Sequence, residues 1–429
     1  MTTSSVRLQR GFTIVELMLG LVLGVFLMLG MITLFSSVNI VYNEGQEIAR
    51  LQENVRFALE TMSRDIRMSS HRYCSSFNNK PGKPDLRNSP RVLVAAAIEG
   101  VPTDGSIAGI PALPNTTGTS YQLPNSYFIQ GHECNFTDGD CDPVVPDYLD
   151  VPDDHGTSDG ERAFGTDVLT MRYFGSEGQI LAADMADPTA PVPVSSTKPN
   201  GAAVSYSNGD VLVVADCDEA DIFEVSSTSG TAPVLIDFSG SGNVGSPPSL
   251  SKAYGRSEDA RIFELTSTSY YIAFREDAVT GDKYSTLRRV RNGNDQELVP
   301  GVDRLDFRYG VDRRDTCPAD PVTGAIISCQ TAFLTAAEIE DESVGNCGSA
   351  GCLWRQVVSV EVNILMSTVN PIGSATNQPF TYMNTNFTPP DGIPRCEDDA
   401  DADTCDDDNP DGLLRREFQA VISFRNMNA

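Results

Sequence analysis

The pattern of hydrophobic and polar positions divides the chain at about residue 70. From Leu17 to Asn43, 27 consecutive residues carry no charge, and most of them are Leu, Val, Ile, Met, Phe or Gly. Apolar residues then recur every three or four positions, at Ile48, Leu51, Val55, Leu59, Met62 and Ile66. Because that spacing is the apolar stripe of an amphipathic helix, it predicts one helix from about Phe12 to Met68, about 85 Å long.

The first half of this helix is long enough to cross a membrane. Its uncharged run spans about 40 Å, against about 30 Å for the hydrocarbon core of a bilayer. Arg7 and Arg10 precede it, and basic residues favour the cytoplasmic side, so the C-terminal bulk is expected on the other side. A secretory signal peptide fits poorly, because its apolar region is shorter and ends at a small-x-small cleavage site. We therefore predict a leader at 1–11, a helix at 12–70 with its membrane anchor at 17–43 and its amphipathic half at 44–70, and an exported domain at 71–429.

Strand patterns replace the helical period after His71. Short runs rich in β-branched and aromatic residues are separated by Gly, Pro, Asn and Ser. They predict strands at 167–173, 210–215, 222–225, 234–238, 269–274, 285–291, 305–309, 358–366 and 418–424. Long loops are predicted at 75–165, 185–205, 240–255, 320–350 and 370–412. The expected fold class is α+β: a long N-terminal helix and a C-terminal antiparallel β-sheet domain with long loops, open to elaboration into two lobes.

The charge balance argues against one class of partner. The chain carries 59 acidic and 31 basic side chains, a formal charge of −28. Because such a surface repels phosphate, we expect no nucleic-acid partner. The acids are concentrated in the predicted loops, which is typical of the solvated surface that keeps an exported domain soluble.

Ten cysteines indicate export into an oxidising compartment. Four spacings suit short local disulfides: Cys134 with Cys141, Cys317 with Cys329, Cys347 with Cys352, and Cys396 with Cys405. Cys74 and Cys217 are left over and could join distant segments. The connectivity stays open, since ten cysteines allow many pairings. A zinc site is less favoured, because no CxxC pair is present.

An acidic run near the C-terminus is a candidate calcium loop. Glu397 to Asp411 contains nine acidic residues, and Asp399, Asp401 and Asp403 alternate within it. Asp407 to Gly412 copies the first half of an EF-hand, but Phe418 stands where that loop needs its glutamate. A looser calcium loop clamped by Cys396–Cys405 and a plain solvated acidic loop both stay open. We otherwise expect no cofactor.

Two short motif matches keep an enzyme as an alternative class. Residues 240–245 match the G-x-G-x-x-G pattern, but Pro247 and Pro248 follow where a dinucleotide site needs a helix. Residues 156–160 match a nucleophile elbow, but a loop is predicted before them, and the chain has three histidines. We therefore expect a protein that is not an enzyme.

One carboxylate interrupts the apolar segment. Glu16 lies at its start, where a charge in hydrocarbon costs at least ~2.5 kcal/mol unless it snorkels to the interface or a cation neutralises it. The surrounding segment GFTIVEL, residues 11–17, resembles the class III signal of type IV prepilins and pseudopilins: a basic leader, then Gly, then Phe, then Glu as the fifth residue after the cut. The resemblance implies that a prepilin peptidase in the membrane cuts between Gly11 and Phe12 and methylates the new amine of Phe12. It also implies that Glu16 pairs with the N-terminal amine of a neighbouring subunit.

Blocks of the remaining sequence resemble the PilW family of minor pilins. They are Ala49–Ser69, Gly209–Val225, Leu250–Ala273, Leu298–Asp312, Trp354–Met366 and Leu413–Asn426. The resemblance implies a structural subunit that acts with other minor pilins and the major pilin, primes assembly of a type IV pilus and caps it. Such a subunit is anchored in the inner membrane, with its domain in the periplasm, before it enters the pilus at the tip. Two alternatives stay open: a J-type pseudopilin of type II secretion, and a tip adhesin whose insertions bind a ligand or calcium.

Overall fold

A 55-residue helix and a set of β-sheets form the chain. The computed structural model describes residues 14–69, 90–95, 120–123, 128–135, 139–146, 149–175, 178–198, 200–279, 281, 283–311, 332–341, 352–372, 380–383, 385–387 and 412–424. The long helix, α1, comprises Ile14–Met68, which confirms the continuous helix that the sequence predicts. No proline interrupts it, and helix-favouring Leu, Met, Ala, Glu and Arg fill most of its second half. A one-turn helix, α2, comprises Ala336–Glu340 and begins with a capping box between Thr335 and Glu338.

Twenty strands account for about half of the remaining described residues. In chain order they are β1 Arg91–Val92, β2 Tyr121–Gln122, β3 Ile129–Cys134, β4 Cys141–Asp142, β5 Val168–Phe174, β6 Gln179–Ile180, β7 Val192–Val194, β8 Val211–Ala215, β9 Ala220–Glu224, β10 Ser227–Ser229, β11 Val234–Asp237, β12 Arg261–Glu276, β13 Lys283–Arg291, β14 Asn294–Pro300, β15 Val302–Val311, β16 Ala332–Leu334, β17 Val357–Ser367, β18 Phe380–Tyr382, β19 Thr385–Phe387 and β20 Arg415–Ser423.

The largest sheet is organised around β12, which is 16 residues long. Its first residues pair with β8, its middle with β5 and its end with β13, while β14 extends the sheet beyond β13. Ile262, near the start of β12, belongs to one hydrophobic core, and Ile272, near its end, belongs to another. At about 3.3 Å per residue, β12 is longer than a single core requires. Residues of β12 therefore belong to both of these hydrophobic cores.

A second sheet has the order β16–β15–β17–β20, with all pairs antiparallel. The sequence predicts that β17 and β20 are half-buried strands with alternating apolar residues. In β17, however, Asn363 and Leu365 on the opposite face are also fully buried. Tyr382, at the end of β18, covers that face and donates a hydrogen bond to the carbonyl of Asn363 (3.1 Å). The β18–β19 hairpin therefore turns an exposed face of the sheet into an interior one.

Several strands lie where the sequence gives only loops or turns. The predicted loop 75–165 contains β1 to β4 in its described parts, and β14 was missed because its first four residues are exposed and polar. The signal for β14 was the Asn292–Gly293 turn, whose two residues both have positive φ and suit a two-residue hairpin. The pairing of β1 with β9 is parallel, and the other pairs between the described strands are antiparallel, which confirms the predicted antiparallel β-sheet domain.

Candidate functional site

The first half of α1 is exposed from Ile14 to Asn43. It is the one described helix that is long and apolar enough to cross a membrane, with a mean hydropathy of 2.6 over its most apolar window and none of that window buried. Thr33 and Ser37 lie within this span, and their hydroxyls donate to the helix carbonyls of Gly30 and Thr33, both at 2.9 Å. Those bonds satisfy polar groups that hydrocarbon cannot solvate.

Glu16 lies in the first turn of α1, on an exposed helix surface. From Ile14 to Asn43 it is the one charged residue, as the sequence predicts. Gly11 and Phe12 lie outside the described residues, so the predicted cleavage and methylation positions cannot be compared with the structure.

The second half of α1 packs on the β domain. Leu51, Val55, Ala58, Met62 and Ile66 are at most 5 % exposed and belong to the core formed with both sheets. The predicted stripe is largely confirmed, but Ala58 replaces Leu59 at its centre, and Leu59 is half-buried beside it. Because the alanine has only a methyl group, the helix backbone can approach the sheets closely at that point.

A buried carboxylate fixes the end of the helix to the largest sheet. Asp65 is 4 % exposed. Its carboxylate accepts a hydrogen bond from the hydroxyl of Tyr270 in β12 (2.6 Å) and a longer one from the hydroxyl of Tyr173 in β5 (3.4 Å). It also forms an ion pair with Nη1 of Arg289 in β13 (3.4 Å). Three neighbouring strands thus converge on one helix residue. Burial and then the charge of Asp65 raise the pKa values of Tyr173 and Tyr270, so both phenols stay protonated donors.

A second polar contact lies near the middle of α1. Glu47 is 7 % exposed, and its Oε1 accepts hydrogen bonds from Nη1 of Arg50 and from the side-chain amide of Asn370, each at 3.0 Å. Asn370 follows the end of β17, so this contact holds the second sheet to the helix just beyond the uncharged run. With Asp65, it fixes the amphipathic half of α1 at both ends.

A buried ion pair joins two strands of the second sheet, and its carboxylate also ties that sheet to β13. The carboxylate of Asp303 in β15 accepts from Nε of Arg415 in β20 at 2.9 Å, and both side chains are under 5 % exposed. The hydroxyls of Ser285 in β13 and Ser367 in β17 donate to the other oxygen of Asp303, at 2.7 and 3.0 Å. Four strands therefore share one carboxylate, and the surface on which α1 packs is held together by this group.

Another buried carboxylate joins β3 to the second sheet. Asp167 accepts hydrogen bonds from the backbone amides of Cys134 (3.2 Å) and Phe307 (2.9 Å). Burial, followed by the neighbouring Asp306, raises the pKa of Asp167 well above its usual range. None of Asp65, Asp167 and Asp303 was singled out from the sequence. The one local signal was for Asp65, whose position next to Ile66 places it at the edge of the predicted buried stripe.

The disulfide between Cys134 and Cys141 is confirmed, and Cys217 is also disulfide-bonded. Cys74, the possible partner of Cys217, lies outside the described residues. The same is true of Cys317, Cys329, Cys347, Cys396 and Cys405, and the side chain of Cys352 is not described. Asp399, Asp401 and Asp403 also lie outside, so the calcium prediction stays a prediction. Within the described part of the chain, no group of three or more His, Cys, Asp or Glu side chains is arranged to hold a metal ion.

The Gly-rich match at 240–245 forms a loop, and no helix follows it. Asn243 stabilises this loop: its amide donates to the carbonyls of Glu224 (2.7 Å) and Phe238 (2.9 Å) and accepts from the amide of Glu224 (2.8 Å). No helix begins at the end of this loop, and a dinucleotide site requires a helix N-terminus there to hold the pyrophosphate.

The fold and the helix contacts define a class of protein in which a β domain is carried on one long helix. The exposed apolar half of that helix is suited to crossing a membrane or to packing against other helices. Residues 269–426 match the model of the PilW family, described as type IV pilus-assembly protein W. This match supports a PilW-family minor pilin, as the sequence predicts, and it extends from β12 through β20. No curated protein and no solved structure matched the chain. A pilus-assembly family and an exposed apolar helix together are consistent with membrane association.

Proposed function

We propose that this chain is a prepilin that becomes a minor subunit of a type IV pilus, where it helps to prime and cap the filament. The observation that carries the proposal is the contrast within α1. Its first half is apolar and exposed, whereas its second half is held by Asp65, Glu47 and a continuous core. A helix built in this way anchors its domain in a bilayer first and can pack among other helices in a filament afterwards.

Glu16 is the proposed point of contact with a neighbouring subunit. Away from water, a carboxylate is stable only when a cation neutralises it, and the N-terminal amine exposed by cleavage before Phe12 is such a cation. Other minor pilins and the major pilin are the proposed partners, and the prepilin peptidase is the proposed processing enzyme.

The test is a deletion strain complemented with the full chain or with Glu16→Ala. We expect deletion to abolish or strongly reduce surface pili, and Glu16→Ala to insert into the membrane normally yet restore few pili. Glu53→Ala is the matched control, because it also removes an exposed carboxylate from α1 but lies beyond the apolar run. Normal piliation with lost surface attachment would favour the adhesin, and lost protein secretion with normal pili would favour the pseudopilin.

A further inference from the structure

A cleft lies between the end of α1 and the two sheets, with a volume of about 940 Å³. Its helix side is formed by Arg64, Arg67 and Met68, together with Ser63 and the exposed acid Glu60. Tyr173 and Arg291 contribute from the largest sheet. Val421 and Ser423 of β20 line the opposite side. The helix contact described above forms the floor of this cleft, through Asp65.

The charge of the cleft is opposite to that of the protein. Arg64, Arg67 and Arg291 are all exposed, and none of them forms an ion pair with a described carboxylate. Although Glu60 is four residues from Arg64, the pair suggested by that spacing does not form among the described contacts. Asp65 is buried and already held by Arg289 and Tyr270. In a chain of 59 acidic and 31 basic side chains, a cleft with three arginines that form no ion pair among the described residues, against the exposed Glu60, is suited to an anionic occupant.

Each side of the cleft contributes one apolar side chain. Val421 is 56 % exposed on β20, although its neighbour Ile422 is buried. Met68 is partly buried at the end of α1. A peptide bound in the cleft would therefore pack an apolar side chain against Val421 and Met68 while its carboxylates form ion pairs with the arginines.

The position of the cleft excludes a lipid headgroup as the occupant. The uncharged run ends at Asn43, and Arg64 is 21 residues further along the helix, about 32 Å at 1.5 Å per residue. Electrostatic attraction between exposed charges is screened over about 8 Å at physiological ionic strength. A phosphate at the membrane surface is thus too far away to be drawn into the cleft.

We propose that this cleft binds an acidic peptide segment of a neighbouring pilus subunit, with carboxylates on Arg64, Arg67 and Arg291 and an apolar side chain on Val421. The partner rests on the proposed function, but the binding chemistry does not. Arginine is suited to this role because its planar guanidinium forms paired hydrogen bonds with a carboxylate.

The test uses the full chain in detergent and a fluorescent probe peptide that alternates aspartate with leucine; a counterpart with asparagine in place of aspartate is the chemical control. We expect saturable binding of the aspartate peptide, weakened by salt, and little binding of the asparagine peptide. Arg64→Gln/Arg67→Gln should weaken binding at least about tenfold, because two charge-assisted contacts are lost. Val421→Ser should weaken it by a smaller factor.

The matched control is Arg56→Gln/Arg416→Gln, which removes the same charge from exposed arginines of α1 and β20 that do not line the cleft. Equal weakening by both double variants, or equal affinity for the two peptides, would overturn the proposal. Tighter binding of a single-stranded DNA probe that depends on Arg64 and Arg67 would also overturn it, because the occupant would then be a phosphate chain. If the purified chain does not bind the peptide but the complemented strain makes normal pili, the cleft proposal alone is refuted. If the purified chain binds the peptide but Glu16→Ala leaves piliation unaltered, the proposed function is refuted.

Discussion

The carboxylate of Asp65 in α1 and the hydroxyl of Tyr270 in β12 are joined by a buried hydrogen bond of 2.6 Å. The two residues are 205 positions apart in the sequence. Arg289 of β13 approaches the same carboxylate, so one residue of the helix satisfies a cation and a phenol of the sheet. The orientation of the β domain relative to α1 therefore depends on a polar contact as well as on the apolar stripe.

Replacing Asp65 by alanine should loosen the end of α1. The change leaves the hydroxyl of Tyr270 and the guanidinium of Arg289 without their buried acceptor, which should lower the free energy of unfolding by about 2–4 kcal/mol. Urea unfolding can be followed through Trp354, the only tryptophan of the chain, which is 1 % exposed. Glu60→Ala on the same helix is the control and should change the stability by less than about 0.5 kcal/mol. A loss no larger than that of the control would mean that the apolar stripe alone holds the helix.

The ion pair between Asp303 and Arg415 should show strong coupling in a double-mutant cycle. Asp303→Leu removes the carboxylate partner of the buried Arg415, and Arg415→Met leaves the buried Asp303 without its cation, so each should cost about 3–5 kcal/mol. The double variant should cost clearly less than the sum, because an apolar pair can replace a buried ion pair. Simple additivity of the two single losses would contradict this account.

The buried His132 should make the domain less stable in acid. Burial above all, together with nearby Arg172 and Arg162, lowers the pKa of His132 to about 4, and its Nδ1 donates to the carbonyl of Pro143 at 2.8 Å. The unfolded chain binds this proton near pH 6.5 and the folded chain does not, so stability should fall as the pH is lowered from about 6.5 to about 4, by about 3 kcal/mol in all.

The difference in unfolding free energy between the unmodified chain and His132→Asn, followed against pH, isolates this contribution. The comparison is needed because the raised pKa of Asp167 acts in the opposite direction: its carboxyl binds a proton in the folded chain first and so adds stability as the pH falls. A difference that stays constant between pH 4 and 7 would show that His132 is not held neutral.

Processing should give a mature chain that begins with a methylated Phe12. Glycine at position 11 offers no side chain to the peptidase, which the prepilin resemblance implies is required. Mass spectrometry of the N-terminal peptide from purified pili measures both the cut and the methyl group. Recovery of a peptide that still contains residues 1–11 would refute the prediction, and Gly11→Val should accumulate the uncut form in the membrane.

Calcium should raise the melting temperature only if the acidic run holds the ion. Carboxylates at Asp399, Asp401 and Asp403 are suitable ligands, but crowded acids also respond to any divalent cation through screening. Melting in calcium is therefore compared with melting in magnesium at equal ionic strength. A rise specific to calcium that is absent from Asp399→Asn/Asp401→Asn/Asp403→Asn would support a site, and equal responses would leave a solvated loop.

The sequence by itself determined the helix, its apolar half, the position of Glu16 and the main strands from β5 onward. These features follow from periodicity and composition within a few turns or one strand, so local physics specifies them. The tertiary structure alone decided which carboxylates are buried and what they hold. Asp65 meets Tyr270 across 205 residues, and Asp303 meets Arg415 across 112. Nothing in the local pattern distinguishes these acids from the many that face water, because burial depends on which strands become neighbours.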